Sequence, residues 1–354
     1  MVDTPVKSLF GWEGRYRSVL QAIPARSRLR EGVTVIIPSW NAVELLAACL
    51  RCVEAQDLSP TRILVVDNAS TDGTRELVSR SRKVEVVRLP RNVGYSGALS
   101  LAFPLVDTSF VAILNNDARP DREWLLRLVG HLREYPHLGC AYPLAIRTDG
   151  TIDTAGDVLT IAGFAYKRLH RRGRLVRPRD GLFVSPPGVA PVYRTVAVAS
   201  AGGWDGMLHS QWDDVDLGIR LWNAGWDAVL DTKVRVVHEQ GSSSSRRARS
   251  REFLAARNEA VVLLKTMSPF LLVLMAPHHA LFLILSFCSH LFRGTAPAFL
   301  AGKAAALASL GAIAESRGRL HPVRWVHIRS LDWRWLSVWY GLSRFGGRRA
   351  PTAS

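Results

Sequence analysis

The segment Val33-Thr-Val-Ile-Ile-Pro38 decides how the first half of this chain folds. It is a short run of mostly β-branched residues closed by a proline, which is typical of a buried β-strand. Residues 42–56 then carry apolar side chains at helical spacing, and Asn41 stands before them as the predicted N-cap. A buried strand followed at once by an amphipathic helix predicts the first βα unit of an α/β domain.

The alternation of strands and helices continues to about residue 150. Polar residues follow three of the predicted strands, as Pro38-Ser39, Asp67-Asn68 and Asn116-Asp117. Because parallel βα units bind ligands beyond the carboxyl ends of their strands, we expect a binding site where these residues meet. The G-x-G-x-x-G fingerprint of dinucleotide-binding proteins is missing from the first βα turn, which argues against a dehydrogenase. The further strands are predicted over 63–67, 84–89 and 110–114, and the further helices over 71–78, 95–103 and 122–134.

Composition limits the class of protein. The chain has 354 residues, of which 48% are hydrophobic. It can therefore bury one large domain or two ordinary ones, and it is neither a disordered tail nor a polytopic transporter. Its formal net charge of +16 comes mainly from arginine. This excess favours an anionic partner, which from charge alone could be a lipid headgroup, a nucleic acid or a phosphate-bearing substrate.

Two segments in the middle of the chain carry unusual charge. Residues 150–187 are irregular and basic, and we expect either a solvated hairpin or an arginine-rich edge that faces phosphates or lipid. Farther along, Asp213, Asp214 and Asp216 lie at the start of a predicted helix over 215–224. Carboxylates suit a helix N-terminus, but such crowding exceeds what capping requires and predicts a raised pKa for at least one of them. A strand predicted over 228–237 leads into His238.

The composition changes after about residue 263. Residues 270–292 carry no formal charge at pH 7 but are interrupted by Pro277-His278-His279, and residues 296–314 contain Lys303 as their only charge. From Arg317 onward arginines alternate with tryptophans, which suits the headgroup zone of a membrane. We favour helices that lie in the membrane interface. A spanning or re-entrant hairpin and a buried helical subdomain are the alternatives.

Several motifs, in family order and at family spacing, resemble family 2 glycosyltransferases of the GT-A fold. That resemblance implies an α/β domain with a mixed, mainly parallel sheet flanked by helices, followed by a C-terminal apolar and aromatic helical region. The asparagine-rich Asn115-Asn116-Asp117, in place of D-x-D, is similar to the rhamnosyltransferase-like and galactofuranosyltransferase-like branches. The motifs are Val35–Asn41, Val65–Gly73, Asn92–Gly94, Leu114–Asp117, Gly202–Asp205, Asp213–Leu217, Ala224–Trp226 and His238.

The domains predicted on this basis are three. Residues 1–32 form an N-terminal extension. Residues 33–262 form the GT-A domain, with a nucleotide-binding half over about 33–120 and an acceptor and catalytic half over about 121–262. Residues 263–354 form a membrane-associating helical region.

The resemblance also implies roles for single residues. Asp67 would hydrogen-bond a pyrimidine base, Asn116 would lie near the ribose or phosphate, and a loop over 241–251 would close over the donor with its arginines. Capping of a turn is the alternative role for Asp67 and for Asp117. The residues implied to line the donor pocket are Pro38, Ser39, Asn41, Asp67, Asn92, Gly94 and Asn116.

The implied chemistry is metal-assisted. Asp214 would be the catalytic base, with Asp213 beside it in place of the more usual glutamate. Asp117 would ligate a divalent metal, Mg²⁺ or Mn²⁺, and His238 would be a further ligand. Oxygen ligands suit these hard cations, which ease the departure of a diphosphate. A polar strand-end residue without metal is the alternative for His238.

The predicted function is that of an inverting glycosyltransferase. It would move rhamnose or a hexose from a pyrimidine nucleotide-diphosphate donor to a lipid-linked glycan or polysaccharide. Its place would be the cytoplasmic side of the plasma membrane, peripheral or partly inserted, with a membrane surface as partner and no nucleic acid expected. One alternative is a non-catalytic protein that binds anionic lipid or nucleic acid. The other is a sugar nucleotidyltransferase, which would need a glycine-rich phosphate loop where Ser39-Trp40-Asn41 stands.

Overall fold

A computed structural model describes residues 29–81, 83–170, 184–239, 248–317 and 331–336. The strands are β1 (Arg30–Ser39), β2 (Arg62–Asp67), β3 (Val84–Arg88), β4 (Thr108–Ile113), β5 (Ala118–Pro120), β6 (Leu138–Arg147), β7 (Ile152–Thr154), β8 (Asp157–Leu159), β9 (Ala165–Lys167), β10 (Val184–Ser185), β11 (Val192–Arg194) and β12 (Asp227–His238). The helices are α1 (Val43–Glu54), α2 (Thr74–Ser79), α3 (Gly94–Ala102), α4 (Trp124–Glu134), α5 (Thr195–Ser200), α6 (Asp213–Asn223), α7 (Ala248–Thr266), α8 (Pro269–Phe292), α9 (Ala296–Ala308) and α10 (Leu310–Arg317).

The main sheet is mixed, as expected. Its strand order is β3-β2-β1-β4-β11-β6-β12-β5, with β7 added beside β6. The first four strands of this order are all parallel, and β6 and β12 are also parallel, whereas β11 and β5 run antiparallel to their neighbours. The half predicted to bind the nucleotide is therefore a parallel α/β unit whose strand ends share one edge.

The strand β1 is buried on both faces. Val35 and Ile37 pack into one hydrophobic cluster together with α1 and α4, while Ile36 packs into a second cluster with α3. A parallel strand covered by helices on both sides has no polar face. This explains why the opening segment reads as a continuous apolar run.

The predicted N-cap of α1 was wrong. Helix α1 begins at Val43, and the residue before it makes no side-chain cap hydrogen bond. Asn41 instead has a positive φ of 47°, and its Oδ1 accepts from the Thr71 amide at 2.7 Å. The α1 amide of Val43 donates to Asp72 Oδ2 at 3.0 Å, so the cap comes from the next βα loop, which no local sequence rule includes.

The prediction of a solvated hairpin over 150–187 was wrong for its first half. Residues 152–164 are buried throughout, and β8 lies between β10 and β9 in a second, three-stranded sheet. The arginine-rich part, residues 171–183, lies outside the described residues. Where the structure describes this segment, it is a folded insertion that brings buried acids toward the main sheet.

The last part of the predicted closing loop, 241–251, is helical and belongs to α7. Residues 248–251 are its first turn, whereas residues 240–247 lie outside the described part of the chain. The helix runs without interruption across residue 262, the predicted end of the GT-A domain, so that boundary stays a prediction. Helix α6 ends at Asn223, one residue before the predicted end. Beyond it, Gly225 has φ 85° and Trp226 N donates to Leu221 O at 3.0 Å, as in a Schellman motif.

The C-terminal helices pack onto the second sheet and on α6 and α7 through a third hydrophobic cluster. Helix α8 is long and apolar enough to cross a membrane by length and composition, and only 17% of its apolar stretch is buried. Helices α9 and α10 are long and apolar enough only when taken together, and they are bent against each other by 56°. Among the residues of the cluster are Ile161, Phe164, Val215, Val262, Leu271, Phe282 and Trp335.

Candidate active site

The ends of β1 and β2 lie side by side. Their parallel register pairs Pro38 with Val66 and Ser39 with Asp67. Ser39 is buried, and its hydroxyl accepts from Asn116 Nδ2 at 3.0 Å. Three residues implied to line the donor pocket, on three different strand ends, are therefore brought together.

Asp67 is buried at the end of β2 and is fixed by its own turn. Its Oδ1 accepts from the Ser70 amide at 2.8 Å, and its Oδ2 lies 3.6 Å from Arg88 Nε. The first contact is the turn-capping role that was the alternative. It leaves Oδ2, on the Arg88 side, as the oxygen that could meet a ligand.

Asn68 shapes the loop before α3, a role that sequence reasoning missed. Its Nδ2 donates to Asn92 Oδ1 and to the Gly94 carbonyl, each at 3.1 Å, and its Oδ1 accepts from the Val93 amide at 2.8 Å. Gly94 has φ 80°, and a Cβ there would lie 2.4 Å from the His209 ring. Glycine is required here for both backbone conformation and space.

His238 stands between two carboxylates at the end of β12. Its Nε2 lies 3.3 Å from Asp117 Oδ1 and its Nδ1 lies 2.9 Å from Asp153 Oδ2. Burial acts to lower the pKa of His238, but the hydrogen bonds and charges of both acids outweigh it and raise the pKa to about 9. Burial likewise acts to raise the pKa of Asp153, but His238 and Lys167 lower it to about 2.

The side chains around His238 supply some of the ligands that a divalent metal would need. No group of three His, Cys, Asp or Glu side chains within the described ranges forms a complete metal site. However, Asn115 has a buried Oδ1 atom without a hydrogen-bond partner, and its amide lies 3.5 Å from His238 Nε2. Asp153 orients the imidazole as second-shell carboxylates do at metal sites. Asp117, His238 and Asn115 could thus hold a cation whose remaining ligands come from elsewhere.

The acid pair Asp213–Asp214 begins α6. One Asp214 oxygen, Oδ2, accepts from the Gly188 amide at 3.2 Å, and Oδ1 accepts from the Val215 amide at 2.9 Å. Burial, and next the negative charge of Asp214, raise the pKa of Asp213 to about 8. The raised pKa predicted for at least one of these acids is thus confirmed, and the residue concerned is Asp213.

Asp157 is a further buried acid near this pair that sequence reasoning missed. It lies opposite Ser185 in the β8–β10 pairing, and the Ser185 hydroxyl donates to the Asp214 carbonyl at 2.7 Å. Burial, together with the charge of Asp214, raises the pKa of Asp157 well above its usual value. Asp157 belongs to the segment for which a solvated hairpin was one expectation, and a charged residue in such a hairpin would be exposed to solvent.

Tyr95 links the donor loop to the acid pair. It follows Gly94, and its hydroxyl donates to the Gly188 carbonyl at 2.9 Å, while the Gly188 amide donates to Asp214. Burial, then the charges of Asp213, Asp214 and Asp117, raise the pKa of Tyr95 well above its usual value. The donor side and the acid pair therefore belong to one site.

Asp216, the third acid of the crowded run, is structural. Its Oδ1 lies 2.6 Å from Lys265 Nζ, and its Oδ2 accepts from Arg220 Nη2 at 2.7 Å. Lys265 is buried and also contacts Asp205 Oδ2 at 2.6 Å, while Arg220 Nη1 donates to the Gly203 carbonyl at 2.7 Å. This network ties the segment Gly202–Asp205 to α6 and α7.

Comparison with known proteins identifies the family. The sequence model described as "Glycosyl transferase family 2" matches residues 34–189, which contain the donor loops and Asp117. A pre-mycofactocin glycosyltransferase of Mycobacterium tuberculosis is 28% identical over 236 residues, covering 63% of this chain and 47% of that protein. An N-acetylglucosaminyl-diphospho-decaprenol L-rhamnosyltransferase of the same organism is 27% identical over 218 residues, covering 53% and 69%. Residues 34–189 therefore form a family 2 glycosyltransferase domain.

The architecture of this family 2 glycosyltransferase agrees with a solved structure. The mannosyltransferase PcManGT from Pyrobaculum calidifontis, in complex with GDP-Man and Mn²⁺, aligns with 87% of this chain and 91% of its own, at 18% identity and a TM-score of 0.50. At that identity the likeness shows the fold alone, and the GT-A fold expected from the sequence is confirmed. The chain spans about half the length of the pre-mycofactocin glycosyltransferase.

Proposed function

We propose that this family 2 glycosyltransferase transfers a sugar, rhamnose or a hexose, from a pyrimidine nucleotide-diphosphate donor to an acceptor hydroxyl with inversion. The observation that carries the proposal is the chain of contacts from the donor loop through Tyr95 and Gly188 to Asp214. These contacts connect the carboxylate of Asp214, through the single residue Gly188, to Tyr95 beside the residues proposed to hold the nucleotide. A binding protein without catalysis has no need for an acid aligned in this way.

The proposed chemistry is a single displacement at the anomeric carbon. Asp214 accepts the acceptor hydroxyl proton as that oxygen forms a bond to C1, and the bond between C1 and the diphosphate oxygen breaks. The nucleoside diphosphate leaves with the electron pair of the broken bond. Asp213 keeps its own proton near neutral pH because its pKa is about 8, so the base role falls to Asp214.

The donor would be held by the polar strand ends. Pro38, Ser39 and Asn41 line the nucleotide side, Asp67 meets the base through Oδ2, and Asn116 lies against Ser39 near the ribose or phosphate. A divalent cation bound by Asp117, His238 and Asn115 would neutralise the diphosphate charge and ease its departure. Mn²⁺ in the mannosyltransferase complex supports a metal-assisted reaction. The alternative of a nucleotidyltransferase lacks support, since no glycine-rich phosphate loop follows β1.

The acceptor is proposed to be a lipid-linked glycan or a growing polysaccharide of the cell envelope. The activity named for the rhamnosyltransferase relative, on a decaprenol-linked diphospho-sugar, supports this class. The exposed residues of α8 support it too, because they are all apolar along the helix, from Phe270 through Ile284 to Phe292. An uninterrupted apolar surface of this length marks a membrane or protein contact.

The interrupting histidines of α8 lie on the protein side. His279 Nδ1 contacts the Ala162 carbonyl at 2.8 Å, and Trp335 Nε1 donates to His278 Nδ1 at 3.2 Å. One ring nitrogen of each histidine is thus hydrogen-bonded within the protein, while the exposed residues of the helix are apolar. We therefore propose that α8–α10 lie in the membrane interface on the cytoplasmic side, as peripheral anchors of the catalytic domain.

Release of nucleoside diphosphate tests the proposed transfer. A panel of UDP-, dTDP- and GDP-sugars is incubated with the protein and extracted lipid-linked glycan, with Mn²⁺, with Mg²⁺ or with a chelator. We expect acceptor-dependent release from one pyrimidine donor that the chelator abolishes. Absence of release from every donor by folded protein would move the assignment to a binding role.

Vesicle flotation tests the membrane surface. Leu281, Leu300 and Leu307 are 42%, 52% and 64% exposed on α8 and α9. Changing all three to Gln removes apolar contact area and should lower binding to anionic phospholipid vesicles by about tenfold or more. Leu126→Gln is the matched control, because Leu126 is 48% exposed on α4. Equal binding of the triple variant and the control would contradict the proposed surface.

A further inference from the structure

One buried amide on α7 contacts the segment that precedes the acid pair. Asn258 is fully buried. Its Nδ2 atom lies 2.7 Å from the Leu208 carbonyl, 2.7 Å from the Ser210 carbonyl and 3.0 Å from the Gln211 carbonyl. A side-chain amide carries two N–H hydrogens, so both are engaged by this one stretch of backbone.

The orientation of the Asn258 amide is fixed by its neighbour. Arg257 Nη1 donates to Asn258 Oδ1 at 2.9 Å and to the Met207 carbonyl at 2.9 Å. A flipped amide would place its oxygen against three carbonyl oxygens and its nitrogen against a guanidinium group, which the hydrogen-bond pattern excludes. Two successive residues of α7 thus bind four carbonyls of this segment, those of Met207, Leu208, Ser210 and Gln211.

The segment 207–212 needs such support because its backbone is strained. His209, Gln211 and Trp212 have φ angles of 59°, 69° and 67°, a region that side-chain-bearing residues rarely adopt. Such conformations persist only where the surroundings hold them. Here Asn258 binds the carbonyls of Leu208, Ser210 and Gln211, each of which directly precedes one of the residues with a positive φ.

The same segment connects both parts of the site. The His209 carbonyl accepts from the Ser96 amide at 2.9 Å in α3, and its ring lies against Gly94 of the donor loop. Trp212 is the residue from which α6 begins, directly before the acid pair. A shift of this segment therefore moves Asp214 relative to the donor loop.

We propose that Asn258 is a positioning residue for the transfer reaction, which holds residues 207–212 in their strained conformation and thereby aligns Asp214 with the donor. This inference rests on the proposed function for its catalytic consequence. It does not depend on that function for its structural consequence, which is the rigidity of the segment. Both can be measured separately.

Asn258→Asp is the sharpest test, because it keeps the size of the side chain and replaces both N–H donors by an oxygen. We expect kcat to fall about 10- to 100-fold, as a small misplacement of a reacting group produces. The donor KM should change little, because the contacts of Asn68 to the donor loop are local. Hydrogen–deuterium exchange of the full chain without substrate should speed up in the peptide that contains residues 207–213.

Thr266→Val is the matched control. Thr266 is equally buried on the same helix, and its hydroxyl donates to the Val262 carbonyl at 2.7 Å within α7. This variant should leave both kcat and the exchange of 207–213 unchanged. Arg257→Gln, at a less buried position, covers the case in which Asn258→Asp does not fold, and it should shift both readouts in the same direction.

The two readouts separate two kinds of failure. Unchanged exchange of 207–213 in folded Asn258→Asp, or in Arg257→Gln if the first variant does not fold, would overturn the positioning role. A decline of kcat in Thr266→Val equal to that in Asn258→Asp would overturn it as well, because the effect would then be general. If wild-type protein releases no nucleotide from any donor, the proposed function fails while the exchange result still decides the structural role.

Discussion

The half of the chain proposed to bind the donor and the half proposed to carry out catalysis are built in different ways. On the donor side, Asp67 binds the amide of Ser70, Asn92 binds the amide of Gly94 and Asn116 donates to Ser39, so these polar groups find their partners within residues 39–116. On the catalytic side, Lys265 reaches Asp205 across 60 residues, and His238 is oriented by Asp153 across 85. The donor half can form from one continuous stretch, whereas the catalytic half requires the C-terminal helices to be in place.

Asp214→Asn should have the largest effect on the catalytic side. It removes the proposed base but keeps the size of the side chain, so kcat should fall by about 10²- to 10⁴-fold. Binding of nucleoside diphosphate, measured by calorimetry, should stay close to wild type because the donor contacts are local. Asp213→Asn is the control: it replaces a carboxyl that holds its proton and should cost far less. Full activity of Asp214→Asn would require another base.

Lys265→Met should produce the largest loss of stability. Without the ammonium group, Asp205 and Asp216 remain buried with one cation fewer, and removal of one partner from such a network costs about 3–5 kcal/mol. Urea unfolding followed by circular dichroism measures the change in the free energy of unfolding. Lys233→Met, on the exposed part of β12, should change it by less than about 0.5 kcal/mol. Equal losses in both variants would mean that the long-range network does not support the catalytic half.

The same contrast explains which features the sequence could predict. The strand ends at Ser39, Asp67 and Asp117 follow from apolar runs closed by polar residues, and the GT-A fold follows from the order of those motifs. Asp153 and Asp157 were missed because their segment is rich in charge and glycine. Only the pairing of β7 with β6, and the packing of β8 between β9 and β10, show that they are buried. The cap of α1 by Asp72 was missed for the same reason: it joins two loops that lie apart in the sequence.

Asp153→Asn should weaken metal binding although it replaces none of the proposed metal ligands. The variant removes the charge that orients His238 through Nδ1, and loss of a carboxylate that holds a metal-binding histidine lowers metal affinity by about 10- to 100-fold. Electron paramagnetic resonance of Mn²⁺, titrated in the presence of UDP, measures this affinity. Asp231→Asn is a matched control, because Asp231 accepts from His131 at 2.9 Å in another part of the fold. Unchanged Mn²⁺ affinity in Asp153→Asn would argue that His238 is a polar strand-end residue without metal.

Asp72→Ala should have the smallest effect and tests the donor half. Asp72 Oδ2 accepts from Val43 at 3.0 Å, and Oδ1 accepts from the amide and hydroxyl of Thr74. Loss of a helix-capping carboxylate costs about 1 kcal/mol in the free energy of unfolding. Asp149→Ala is the matched control, because Asp149 makes the same pair of bonds to Thr151 within a single hairpin. The difference between the two variants isolates the bond to Val43.

The destabilisation caused by Asp72→Ala should depend on pH. Burial acts to raise the pKa of Asp72, but its hydrogen bonds to Thr74 and Val43 outweigh it and lower the pKa below 3.8. A carboxylate with a lowered pKa stabilises the folded state above its unfolded value, and this stability is lost as the pH falls through the folded value. The cost of Asp72→Ala should therefore be full at neutral pH and shrink in acid. A cost as large as that of Lys265→Met would show that the donor half, too, depends on a contact between distant loops, and the contrast between the halves would not hold.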